Sequence, residues 1–258
     1  MLSLKEKRQI LIGEYIRTNG QASMKELPSI FKVSMNTIRA DIDELAKSGV
    51  IKKVYGGVIY NNPDSFNFQP IPSRLDENYK IKRTLCKLAA SLIEDGDQIY
   101  IDYGTTTRWI PDFLNEKNNV QVVTPNFYAI TKMAMDPEAN FIMLPGRFDY
   151  SVAGVMSEAT IQDIKNYHFS KVFMACTGID FSLNVSSASY IQREIKHDVI
   201  SNADKCYLMV DSSKFSVSGN LFYGNLSSFE AVITDSGIST YKKALLHEKN
   251  ITCLIAEA

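Results

Sequence analysis

Along the first sixty residues, apolar positions recur at helical spacing three times and then give way to two short β-rich runs. Leu4, Leu11, Ile12, Tyr15 and Ile16 predict a helix over Leu4–Arg17, which Asn19-Gly20 stops. Ser23-Met-Lys-Glu26 has the spacing of a capping box and opens a second helix burying Leu27, Ile30 and Phe31. Pro28 removes a donor about one turn in, so this helix should be short or bent. Ser34 caps a third helix, with Val33 and Ile38 at the staple positions, Ile38, Ile42 and Leu45 as the buried stripe and Gly49 as the stop. Val50–Val54 and Val58–Tyr60 read as strands joined by a turn at Tyr55-Gly56-Gly57. Three short helices and a hairpin predict a winged helix-turn-helix over residues 1–60.

Residues 61–76 carry Pro63, Pro70 and Pro72 with little periodicity and read as a linker. From residue 77 to 258 short apolar runs alternate with helical patterns. A helix over Lys80–Ile93 ends at Asp95-Gly96. Strands are expected at Gln98–Ile101, Val120–Thr124, Phe141–Leu144, Lys171–Ala175, Cys206–Val210, Ala231–Thr234 and Ile251–Ile255. Apolar strands separated by helices imply a largely parallel sheet covered on both faces. The fold class is therefore α/β: an N-terminal winged helix-turn-helix followed by a Rossmann-like α/β domain.

Charge sharpens this division. Residues 1–60 hold ten Lys/Arg against six Asp/Glu, whereas the remainder holds eighteen against twenty-three. A basic front on an acidic body suits a polyanion partner. Ser34, Met35, Asn36, Thr37 and Arg39, at the start of the third helix, can donate to phosphates and base edges in the major groove. Lys52 and Lys53 on the wing would add phosphate contacts. Ser23 and the turn glycines Gly56 and Gly57 complete the candidate DNA-contacting set. No run of about 18 apolar residues occurs, so no membrane span is expected. The four cysteines form no CxxC pair and read as buried reduced thiols of a cytoplasmic protein.

In a parallel sheet, chemistry sits at the C-terminal strand ends. The first strand ends in Asp102-Tyr-Gly104-Thr105-Thr106-Thr107 and leads into a helix expected near Arg108. A glycine, hydroxyls and free N–H groups there would cradle an anion. This is neither a Walker loop nor GxGxxG, so no nucleotide, no other cofactor and no metal is expected. Thr124-Pro-Asn126, Leu144-Pro-Gly146-Arg147, Thr177-Gly178-Ile-Asp180 and Asp211-Ser-Ser-Lys214 follow other strands. Lys214 could neutralise a phosphate. Asp102 or Asp211 could accept bonds from sugar hydroxyls.

The stretch Phe31-Lys-Val-Ser34-Met-Asn-Thr-Ile-Arg-Ala-Asp41, continued by Leu45, Gly49 and Tyr55-Gly-Gly, resembles the winged helix-turn-helix of the DeoR family. The pieces IDYGTTT, VVTPN, LPGR, Ala153-Gly154, VFMACTGID and MVDSSKF resemble that family's sensor domain across residues 77–258. The chain departs from the family pattern at Pro28, Ala40, Tyr55 and Arg147. The resemblance implies a sugar-phosphate-isomerase-like sensor domain, double-stranded operator DNA as partner, and a phosphorylated sugar or polyol as effector. Gly104, Thr105, Thr106 and Thr107 would hold the phosphate. Asp102, Thr124, Asn126, Gly146, Arg147, Gly178 and Lys214 would line the pocket, with Arg193 a further addition. A repressor of carbohydrate-metabolism genes, dimeric or tetrameric, is the leading reading. The alternative is a sugar-phosphate isomerase carrying a DNA-binding appendage, with Asp102, Asp180 or Asp211 as general base. A nucleotide or redox sensor on the same head lacks a dinucleotide loop and paired cysteines.

Overall fold

The structure, a computed structural model, describes residues 3–47, 51–54, 56–60, 77–217, 219 and 221–257. The expected stop Gly49, the strand residue Val50, the turn residue Tyr55 and the linker 61–76 lie outside the described residues. By contacts the chain divides into two compact units, residues 1–65 with 238–250 and residues 66–237 with 251–258.

In the first unit Ser3 and Glu6 close a capping box at the start of α1 (Leu4–Asn19), and Gly20 ends it at φ 74°. The buried stripe is Ile10, Ile12 and Ile16, with Gln9 beside it. Leu4 and Leu11, expected inside, are exposed. A strand the sequence pattern did not announce follows, β1 (Gln21–Ser23). Helix α2 (Leu27–Phe31) is short, as Pro28 implied, but the reason differs. It begins at Leu27, so Pro28 falls in the first turn, where no intrahelical donor is lost. Five residues form too narrow a face to bury all three apolar side chains. Leu27 is buried, Phe31 packs edge-on against Tyr15, and Ile30 is exposed. Helix α3 (Met35–Lys47) buries Ile38, Ile42 and Leu45 as expected. Strands β2 (Ile51–Val54) and β3 (Gly57–Tyr60) pair antiparallel, and β1 adds to β3, giving a three-stranded wing in the order β1-β3-β2.

The second unit is built on α4 (Tyr79–Ser91) and seven parallel strands: β4 (Gln98–Ile101), β5 (Gln121–Thr124), β6 (Phe141–Met143), β9 (Phe169–Met174), β12 (Ala203–Met209), β14 (Ala231–Asp235) and β15 (Cys253–Ala256). All seven expected strands are present, each within a few residues of its predicted bounds. Their spatial order is β15-β14-β12-β9-β4-β5-β6. From β4 the chain steps outward through β5 to β6, then returns to the other flank of β4 with β9. The order reverses between β4 and β9, and at such a switch point a crevice opens at the carboxyl ends of the strands.

Helices α5 (Phe127–Met133), α6 (Glu158–Ile164) and α7 (Tyr190–Ser201) connect the strands. Leu85, Ile99, Ile101, Phe173, Met209 and Ile233 anchor the core between α4 and the sheet. Between β14 and β15 the chain forms α8 (Thr240–Glu248), which groups with the first unit and packs on α1. Two small antiparallel sheets complete the second unit: the hairpin β7 (Arg147–Asp149) with β8 (Gly154–Met156), and β10 (Gly178–Ile179), β11 (Asn184–Ser187) and β13 (Leu221–Asn225).

One expectation fails at an important place. No α-helix starts near Arg108. Residues 104–109 form turns that end in a short 3-10 segment, Ile110–Phe113. Pro111 cannot donate to the carbonyl of Thr107, so the bonds tighten to three-residue spacing: Ile110 N–H to Thr107 O (3.1 Å) and Asp112 N–H to Trp109 O (3.1 Å).

Candidate functional site

The start of α3 is held by Ser34, whose hydroxyl accepts the Thr37 N–H (3.1 Å) and meets Thr37 Oγ1 (2.9 Å). That leaves Asn36 and Arg39 as the exposed side chains of this turn, with Met35 and Thr37 half-buried. Arg39 makes no hydrogen bond or ion pair among the described residues. Two carboxylates fix α3. The buried Asp41 accepts from Arg8 Nε (2.6 Å) and Gln9 Nε2 (3.1 Å), tying α3 to α1. Asp43 pairs with Lys53 on the wing, both half exposed. Lys52 is exposed without such a tie. Ser23 ends β1, where its N–H donates to Glu26 Oε1 (3.0 Å). Its own hydroxyl accepts from Lys25 N–H (3.2 Å), so the expected box closes from one side only. Gly56 turns the wing at φ 77°. Gly57 is needed for a different reason: a Cβ there would stand 2.6 Å from the Ala22 carbonyl oxygen, so β1 reaches β3 only past a glycine.

A pocket in the second unit opens at the switch point. Tyr103, Gly104, Thr105 and Thr106 come from the end of β4, and Ala175, Cys176 and Thr177 from the end of β9. Lys82 comes from α4, Gln192 and Lys196 from α7, Lys214 from the turn after β12, and Val152 from the loop before β8. Gly104 adopts φ 109°, which turns the chain between Asp102 and the threonines. Three ammonium groups reach this one cavity. Lys82 Nζ donates to Thr105 Oγ1 (3.0 Å). Lys196 donates to Ala175 O (2.7 Å) and to Asp102, and its Nζ lies over the rings of Tyr103 (4.4 Å) and Tyr223 (5.2 Å). Lys214 forms no ion pair among the described residues.

Of the sequence candidates, Gly104, Thr105, Thr106 and Lys214 line this pocket. Asp102 lies behind it with no exposed surface, accepting from Lys196, Ala175 N–H (2.8 Å) and Tyr103 N–H (3.0 Å). Burial pushes its carboxyl above the usual carboxylate range, with Lys196 and the two N–H donors pulling the other way. Thr107, Thr124 and Asn126 are buried and build the loop. Thr107 Oγ1 donates to Asp102 O (2.6 Å) and Thr124 Oγ1 to Ile101 O (2.6 Å). Asn126 Nδ2 donates to Asp102 O (3.0 Å) and Gly104 O (3.1 Å) while its Oδ1 caps α5.

Gly146 backs onto Thr160 and Ser157, and Gly178 onto Val217, both outside the pocket lining. Arg147 lines a separate hollow with Phe148, Asp149, Tyr150 and Met156. Arg193 sits on α7 but turned away, donating to Phe222 O (3.1 Å) and pairing with Glu194. Its neighbours Gln192 and Lys196, four apart on one helix face, are the ones that reach the cavity.

Lys82 and Lys196 escaped the sequence reading although a signal exists. Each falls on the apolar stripe of its helix, Lys82 with Leu85, Cys86 and Ala89, and Lys196 with Ile195 and Val199. A lysine there needs a buried partner or an anion. Cys176 also lines the pocket, its thiol pushed up to about 12 by burial. Asp180 accepts from Asn184 N–H (2.8 Å) and Nδ2 (3.1 Å), and Asp211 from Ser213 N–H (3.0 Å); like Asp102, neither lines the cavity.

Two family models match the chain: the DeoR-like helix-turn-helix domain over residues 8–64 and the DeoR C terminal sensor domain over residues 77–236. The HTH-type transcriptional regulator IolR of Bacillus subtilis (strain 168) is 30% identical over 221 residues, 86% of this chain and 87% of that protein. The glycerol-3-phosphate regulon repressor of Escherichia coli (strain K12) is 28% identical over 87% of this chain and 88% of its own. The lactose phosphotransferase system repressor of Streptococcus mutans serotype c (strain ATCC 700610 / UA159) is 27% identical over 90% and 92%.

Proposed function

This chain belongs to the DeoR family of DNA-binding transcriptional regulators, and on that premise we propose that it represses carbohydrate-metabolism genes under the control of a phosphorylated sugar or polyol. The observation that carries the effector is the convergence of Lys82, Lys196 and Lys214 with Gly104, Thr105 and Thr106 at the switch point of the sheet. Asp102 pairs with Lys196, and the Lys82 and Lys214 side chains bring further positive charge to the same cavity, which suits an anion. The Thr105 and Thr106 hydroxyls suit the oxygens of a phosphate. Gln192 offers an amide for sugar hydroxyls. Two of the relatives are named for a glycerol-3-phosphate regulon and a lactose phosphotransferase system, which agrees with such an effector.

The DNA-reading edge is Asn36 and Arg39, with Ser34, Met35 and Thr37 shaping the helix start. Lys52, Lys53, Ser23 and the turn at Gly56-Gly57 would lie along the backbone. We read the protein as a regulator rather than an isomerase: of the three candidate bases, Asp102 is taken up by Lys196 and two backbone N–H groups, and Asp180 and Asp211 by bonds within their own turns. No helix of the described residues is long and apolar enough to cross a membrane, and a DNA reader with free thiols suits the cytoplasm.

The test has two arms. Selection from random duplexes should enrich one sequence, and Arg39→Ala should weaken binding to it by about 1–3 kcal/mol. A thermal-shift screen should show stabilisation by phosphorylated sugars or polyols and none by their unphosphorylated forms. No enriched sequence, or equal shifts with both ligand classes, would overturn the reading.

A further inference from the structure

The β7–β8 hairpin has one open edge. On its far side β8 is paired: Val155 N–H donates to Pro125 O (2.9 Å), Phe127 N–H to Ala153 O (3.0 Å), and Asn126 bridges Gly154. Because the Val155 N–H points that way, the Phe148–Val155 pair is a non-hydrogen-bonded pair of the hairpin. The N–H and C=O of Phe148 then point out of the open edge, and neither has a partner among the described residues. An unpaired edge of this kind is a template for another strand.

The side chains along this edge are self-complementary. Arg147, exposed, makes no hydrogen bond or ion pair among the described residues. Asp149, two residues on, accepts the Ser151 N–H (2.7 Å) and has no ion pair among the described residues. Between them Phe148 belongs to an aromatic cluster, with centroids 5.1 Å from Phe127 and 4.9 Å from Tyr150. Tyr150 is 80% exposed and Phe127 42%. We infer that this edge is where two copies of the chain meet, β7 pairing antiparallel with β7 of the second copy about a two-fold axis through Phe148.

In that register Phe148 faces Phe148 of the second copy and the two exchange both backbone bonds. Arg147 of each copy stands opposite Asp149 of the other, so two ion pairs form across the axis. An isologous contact demands this match, since one patch must complement itself. Opposite charges directly across an antiparallel pair stabilise it, and like charges oppose it. The exposed rings of Tyr150 and Phe127 flank the new four-stranded ribbon and supply its apolar surface.

The inference is independent of the effector and is tested by charge exchange in the full chain. Sedimentation equilibrium should show self-association of the native protein at micromolar concentration. Arg147→Asp alone and Asp149→Arg alone each place like charges across the axis, and each should weaken association at least tenfold. The double exchange should restore it to within about threefold of the native protein. Far-ultraviolet circular dichroism spectra should match that of the native protein throughout, because the exchanges leave the backbone pairing of the hairpin in place. A monomeric native chain, single variants that associate as tightly as the native chain, or a double exchange that fails to recover would each overturn the inference.

Discussion

Lys196 and Asp102 show what a single pair does here. Both are almost fully buried and they form an ion pair with each other. Removing one partner leaves an uncompensated charge in a low-dielectric site. Lys196→Met should therefore cost about 3–5 kcal/mol in urea unfolding. Adding Asp102→Asn to that variant should recover part of the loss, and a strictly additive double variant would contradict the pairing. A second buried pair sets a pH dependence. Burial raises the Asp97 carboxyl, but the Glu94 N–H (2.7 Å) and Lys171 Nζ (2.6 Å) outweigh it and hold it below the usual range. A depressed carboxylate stabilises the fold above its unfolded value and loses that contribution as pH falls through the depressed one. The stability difference between native protein and Lys171→Met should therefore be full at pH 7 and shrink below about pH 4. A difference that grows in acid would contradict the pairing.

At the scale of elements, the helical period of α3 and the short apolar runs of the seven strands made those elements legible in the chain. What it missed came from contacts distant in sequence. β1 is three residues long and has no pattern of its own; it exists because β3 lies beside it. Gly57 is the residue that permits this, so Gly57→Ala should force β1 and β3 apart and cost about 1–3 kcal/mol, read by thermal unfolding. Unchanged stability would mean the three-stranded wing is not the native arrangement. The loop after β4 was legible as a turn at the mouth of the sheet but not as a non-helical one. Its dependence on Pro111 and on the buried Asn126 amide is a tertiary matter. The same holds for the pocket: the strand-end residues Gly104–Thr106 and Lys214 could be read from the chain. Lys82 and Lys196 arrive from helices whose distance to the loop no local pattern encodes. Conversely, Gly146 and Gly178 mark close packing against Thr160 and Val217, which looks the same in sequence as a ligand contact.

For the whole molecule, a helix-turn-helix head and a lysine-lined cavity share one chain, and the proposed regulation requires that effector and DNA affinity be linked. An effector shifts DNA binding only by its unequal affinity for the DNA-competent and DNA-incompetent forms. Such coupling is typically about 1–3 kcal/mol, or roughly 5- to 150-fold in affinity. The decisive measurement is fluorescence anisotropy of the full chain on its selected duplex, with and without a phosphorylated sugar that raises its melting temperature. The native protein should change its DNA dissociation constant at least fivefold on adding that ligand. Lys214→Ala should bind the duplex as the native protein does but no longer respond at the same ligand concentration. A ligand that stabilises the chain yet leaves DNA affinity unchanged, or a Lys214→Ala protein that responds fully, would contradict the account.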